Sequence, residues 1–134
     1  MGINLLKPLA AAAILATCAV GSASAHHSFQ ATYDLETKVT IEGTLVAFQF
    51  RNPHSFVQVL VEDENGESQR WGVEWGGASA LTRQGVTRTT LKPGDHVVIS
   101  GAVGRDRGDH RMRMETLLRP EDGFGWGQNG EKFD

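Results

Sequence analysis

The chain has 134 residues, a formal net charge of −3 and a single cysteine, Cys18. That length suits one domain built around one core. Acidic and basic residues are well mixed, and the only basic cluster is Arg105 to Arg113, which argues against a nucleic-acid partner.

Residues 1–25 read as an export signal. Lys7 is their single charge, Leu9 to Val20 is an apolar run, and Ala23-Ser24-Ala25 sets small residues before a cut. The apolar run is too short to span a bilayer comfortably, and nothing after residue 25 is apolar enough to do so. The expected mature chain therefore starts at His26, in the periplasm, with no membrane span. It contains no cysteine, which excludes thiol catalysis and thiolate metal sites. Two other processing routes stay open: cleavage after Ala23, and lipidation at Cys18.

The remainder alternates like a small β protein. Thr40 to Phe50 predicts a strand in which Ile41 and Leu45 share one parity and Val46, Phe48 and Phe50 the other. Such a change of face calls for a bulge or strong coiling, which Gly43 permits. Asn52-Pro53 then breaks the ladder. His54 to Asp63 predicts a second strand with Val57, Val59 and Val61 on one face. Asn65-Gly66 closes a hairpin to a third strand, Gln69 to Trp75, whose Trp71, Val73 and Trp75 share a face. Ala78 to Gly85 predicts a short helix stopped by Gly85, and Leu91 to Asp95 a turn. Asp95 to Gly101 and Arg111 to Leu118 complete five strands. The expected fold is mainly β: a small five-stranded, partly open barrel of the oligonucleotide/oligosaccharide-binding (OB) type, with one short helix, over residues 26–120. Residues 121–134 hold several glycines and are expected to form a flexible tail; a small sandwich is the alternative architecture.

Several short stretches occur in a recognisable order: "HHSF" from His26, Gly43-Thr44-Leu45, Asn52-Pro53-His54, "WGVE" from Trp71, "LTRQG" from Leu81, "LKPGD" from Leu91 and "VVISG" from Val97. Together they resemble bacterial exported proteins of the family catalogued as domain of unknown function 6152, over roughly His26 to Leu118. The resemblance implies a periplasmic small β-barrel with no assigned activity. The charged loop Arg105 to Arg111 departs from it, since a shorter or plainer turn is expected there.

Candidate chemistry starts at the expected N-terminus. A freshly cut His26 offers an α-amine and an imidazole, both available near neutral pH, that close a chelate on one ion. His27 or His54 is the candidate third nitrogen, and an all-nitrogen set favours copper(II). Cleavage after Ala23 would leave Ser24-Ala25-His26, which also chelates copper. The bland reading of His26-His27 is a polar leader, and that of His54 a cap on exposed strand ends. A second candidate is a ligand face of Trp71, Glu74 and Trp75, holding an organic ligand, a glycan or a protein partner. Against it stands the need of so small a domain to bury its large aromatics. Glu74 is then expected to face solvent or to pair with an arginine such as Arg83. Met112 and Met114 read as core filling, and His96 and His110 as exposed polar residues. No nucleophilic cysteine, His-Glu-x-x-His helix or phosphate-cradling loop is present. The expectation is a binding module for a metal ion or small ligand, not an enzyme.

Overall fold

The computed structural model describes residues 28–134, and alternating burial is clearest in the strand Ser55–Glu62. A short helix α1 (Phe29–Thr32) runs straight into β1 (Tyr33–Gln49), a strand of 17 residues. Next come β2 (Ser55–Glu62), β3 (Ser68–Trp75), helix α2 (Ala78–Arg83) and β4 (His96–Gly104). A 3-10 turn (Arg107–Asp109), β5 (Arg111–Arg119) and β6 (Phe124–Trp126) end the chain. Among the described residues no helix is long and apolar enough to cross a membrane.

The strands run in the order β3-β2-β1-β4-β5-β6. A parallel pairing of β3 with β5, Gly72 opposite Arg111 through Glu74 opposite Arg113, closes β1-β2-β3-β5-β4 into a ring. The seam is short, so the ring is partly open, which agrees with the expected OB-like architecture. Inside it lie Leu45, Val57, Val59, Val73, Trp75, Ile99, Met112, Met114 and Leu117, each at most 1% exposed. Trp75 and Trp126 meet edge to face, 5.2 Å between ring centres. Both methionines of β5 are core filling.

The expected change of face in β1 is present, but Gly43 does not make it. The register of β1 on β2 slips between Leu45 and Ala47, so Val46 is the extra residue, and Phe48 resumes packing on the core. Gly43 serves close approach instead. A Cβ there would lie 2.0 Å from the Leu60 carbonyl oxygen.

Three elements differ from expectation. β1 starts at Tyr33, earlier than the alternation shows, because its register on β4 also slips between Asp34 and Lys38. A second helix, α1, precedes it. The segment from Glu121 carries β6, and it buries Trp126 to 2% and Phe133 to 6% exposure. Two amide bonds clamp it: Trp126 Nε1 donates to Gln84 Oε1 at 2.7 Å, and Gln84 Nε2 donates to the Lys132 carbonyl at 2.8 Å.

Candidate functional site

The loop between β1 and β2 is held from two sides. Ala78 N donates to the Arg51 carbonyl at 3.0 Å, and the Asn52 side chain bonds the main chain and hydroxyl of Ser79 at 3.1 and 3.0 Å. At the loop's end Ser55 N donates to the Gly76 carbonyl at 3.1 Å. His54, one residue before β2, is thereby fixed beside β3.

Phe56 of β2 lies opposite Glu74 of β3, which makes His54 a diagonal neighbour of Glu74 on the same sheet face. His54 Nδ1 stands 2.7 Å from Glu74 Oε1. The hydroxyl of Tyr33, at the head of β1, donates to Glu74 Oε2. Both carboxylate oxygens thus have a partner, as a carboxylate in a residue only 8% exposed requires. The Tyr33 hydroxyl is pushed well above its ordinary pKa. Burial is the largest cause, followed by its hydrogen bond to Glu74 and that carboxylate's charge, with Arg111 pulling the other way.

Aromatic rings flank the imidazole. Phe29 of α1 and Phe133 each sit 5.4 Å from the His54 ring, tilted and edge-on respectively. The Arg113 guanidinium lies 4.1 Å from the centre of Phe133 and 4.6 Å from that of Phe29. Its buried Nε has no hydrogen-bond partner among the described residues. Alongside opens a cavity of about 440 Å³, lined by Phe29, Tyr33, His54, Phe56 and Glu74 together with Arg51 and Arg111. The cavity therefore draws on the β1–β2 loop, the faces of β2 and β3, and the residue that follows the β4–β5 connection. Those are the surfaces on which OB folds hold their ligands.

Sequence reasoning singled out His54 and Glu74 separately, and the structure joins them. The expectation that Glu74 meets solvent or Arg83 is corrected: the outer face of β3 at Glu74 is covered by Tyr33 and His54, and Arg83 is exposed on α2. Trp71, Glu74 and Trp75 do not share one ligand face. Trp75 is fully buried against Phe48 and Trp126, whereas Trp71 is half-buried, 5.4 Å from His110. His26 and His27 lie outside the described residues. Among the described residues no cluster of three or more His, Cys, Asp or Glu is placed to hold a metal ion. His96 is exposed and pairs with Glu42 at 2.8 Å. Missed altogether were Tyr33, Phe133, Arg51 and Arg111. Tyr33 and Glu74 are 41 positions apart, and no local pattern links them.

Fold and site together define a small, partly open β-barrel with an aromatic-walled cavity on the outer face of β2 and β3, built around a Tyr-Glu-His contact. The chain belongs to a family of unknown function, DUF6152, whose model matches residues 13–113. The match takes in the β1–β2 loop, β3 and Arg111. No curated protein matches the chain.

Proposed function

We propose that the protein is an exported binding module whose site is the cavity beside His54, and that the bound species is a copper ion. In this reading His26, made N-terminal by cleavage after Ala25, supplies its amine and imidazole. His54 supplies the further nitrogen through Nε2, and His27 is the alternative donor. The observation that carries the reading is the 2.7 Å contact of His54 Nδ1 with Glu74, itself bonded by Tyr33. Metal-ligating histidines characteristically give their other ring nitrogen to a carboxylate, which fixes ring and tautomer. Chain geometry supports it too. His26 is three residues before Phe29, a reach of at most about 10 Å at roughly 3.5 Å per residue, and the Phe29 ring lies against His54. With only nitrogen donors, copper(II) stands above nickel and zinc. The role is capture of the ion, not turnover.

The test begins with the intact mass of the protein recovered from the periplasm, which gives its first residue. Titration of that protein with copper(II) follows. Affinity is expected to fall at least tenfold in His54→Ala and on acetylation of the amine, and about 10–100-fold in Glu74→Gln. Equal affinity in His54→Ala and the parent would remove the cavity as the copper site, and equal affinity after acetylation of the amine, or a lipidated start at Cys18, would remove the copper assignment itself.

A further inference from the structure

We propose that the cavity beside His54 takes a small organic monocarboxylate with a flat apolar body, held at its head by Arg51 and Arg111. This deepens the reading of that cavity as a binding site but does not depend on a metal. The argument is one of charge and shape. Among the described residues two arginines pair with acids, Arg107 with Asp34 at 3.0 Å and Arg119 with Asp95 at 2.7 Å. In the cavity neither Arg51 nor Arg111 has a carboxylate within ion-pair distance among the described residues, although the chain as a whole is acidic. The one carboxylate in the wall, Glu74, is already engaged on both oxygens by Tyr33 and His54. Among the side chains that line the cavity two guanidinium groups face one carboxylate, an excess of one positive charge. A monoanion balances that sum. A phosphate dianion exceeds it and is repelled by Glu74.

Each guanidinium lies by an aromatic ring of the same wall, Arg51 5.3 Å from the centre of Phe56 and Arg111 5.9 Å from that of Tyr33. A guanidinium beside a ring keeps its in-plane donors, which match a carboxylate bidentately; the exposed Arg51 has no side-chain hydrogen bond among the described residues, whereas Arg111 also bears on the Tyr33 hydroxyl. Phe29, Tyr33 and Phe56 supply the apolar wall for the body of the ligand. The volume of about 440 Å³ falls in the range of small-molecule sites.

Calorimetric titration of the processed chain tests this, with the protein stripped of metal by a chelator and dialysed, and benzoate as the probe. Saturable one-to-one binding is expected, with acetate and benzamide each about tenfold weaker or more, because one lacks the body and the other the charge. Arg51→Gln and Arg111→Gln should each weaken benzoate about tenfold or more, the loss of one charge-assisted pairing. Arg51 is the cleaner variant, since its hydrogen bonds within the described residues run through its main-chain N and O to Ser55 and Ala78, which the substitution keeps. Absence of saturable benzoate binding overturns the proposal, as does equal affinity for benzamide or an unchanged affinity in Arg51→Gln. Inorganic phosphate displacing benzoate on equal terms overturns the monocarboxylate assignment. Benzoate binding without copper binding would remove only the metal reading, and copper binding without benzoate binding only this one.

Discussion

Replacing Tyr33 by Phe removes one oxygen atom from a fully buried side chain and keeps the ring that packs beside Phe29. What is lost is the donor to Glu74 Oε2, in a residue 8% exposed where water is a poor substitute. A hydrogen bond to a charged group contributes about 1.5–3 kcal/mol, and more is lost when the abandoned partner stays buried. At about 4–8 °C per kcal/mol for a domain near this size, a 2 kcal/mol loss lowers Tm by roughly 8–16 °C. Urea unfolding at neutral pH, followed by far-UV circular dichroism, measures the same loss as a lower midpoint at unchanged slope. The alkaline limb supplies a second, independent signature. The folded protein holds the Tyr33 hydroxyl protonated, above its ordinary value of 10.0, through burial first and the Glu74 contact second. The raised value means that the contribution is fully present below about pH 10, where the unfolded chain's tyrosine is also protonated. As pH rises beyond that point the unfolded chain ionises first, so stability is lost toward the folded value. Wild-type protein should therefore weaken above pH 10 more steeply than Tyr33→Phe. Equal midpoints at neutral pH, together with parallel alkaline limbs, would refute the assignment of Tyr33 as the proton donor to Glu74.

Two further results are expected. Gly43→Ala puts a methyl group 2.0 Å from the Leu60 carbonyl of the paired strand, and backbone cannot step aside as a side chain can. A loss of at least about 1–3 kcal/mol is expected, whereas Gly72→Ala, with nothing within 4 Å, should be neutral or gain up to about 1 kcal/mol; denaturant midpoints of the two variants decide. Asp95 accepts from Arg119 at 2.7 Å and from Lys92 N at 3.0 Å. Burial works to raise its pKa, but the Lys92 main-chain and Arg119 bonds outweigh it and hold the carboxyl below its ordinary range. That contribution is present above about pH 4 and disappears as pH falls through the folded value, so Asp95→Asn should show a flatter acid limb than wild type. Matching acid limbs would show that the Arg119 pairing has no weight in stability.

Much of the barrel is legible in period-two alternation: β2 buries Ser55, Val57 and Val59, β3 buries Val73 and Trp75, and β5 buries Met112 and Met114 before a bulge shifts the buried position to Leu117. The head of β1 escapes that signal. Its Asp34 to Lys38 stretch is polar and bulged, with Asp34 accepting from Thr37 Oγ1 at 2.8 Å and pairing with Arg107 at 3.0 Å, so it reads as a loop while belonging to a strand. The last residues escape for the opposite reason. Their glycines advertise freedom, yet Trp126 and Phe133 find apolar cover on elements distant in sequence, which composition does not encode.

The joining of His54 to Glu74 lies between these cases, and the hairpin shows why. A two-residue Asn65-Gly66 turn would set Val57 opposite Glu74 and put the carboxylate on the core face. The observed loop is one residue longer in register. Asp63 Oδ1 accepts from Asn65 N and Glu67 N at 2.8 and 2.9 Å, Gly66 takes φ +78°, and the strands resume at Glu62 opposite Ser68. A slip of one residue exchanges the faces of a strand. Val57, Val59 and Val61 must share a face with Trp71, Val73 and Trp75, and only an odd-length loop allows that. Alternation and turn chemistry therefore conflict at Asn65-Gly66 in the bare sequence, and burial of two valines and a tryptophan outweighs the preference of one dipeptide. Resolved in favour of alternation, the register sets Phe56 opposite Glu74 and His54 one diagonal away, and the contact at the centre of the cavity follows. What no register supplies is the cover. Alternation says which way Glu74 faces, and only the closure of the ring, which brings in Tyr33 from the far end of β1, says that it faces a phenol instead of water.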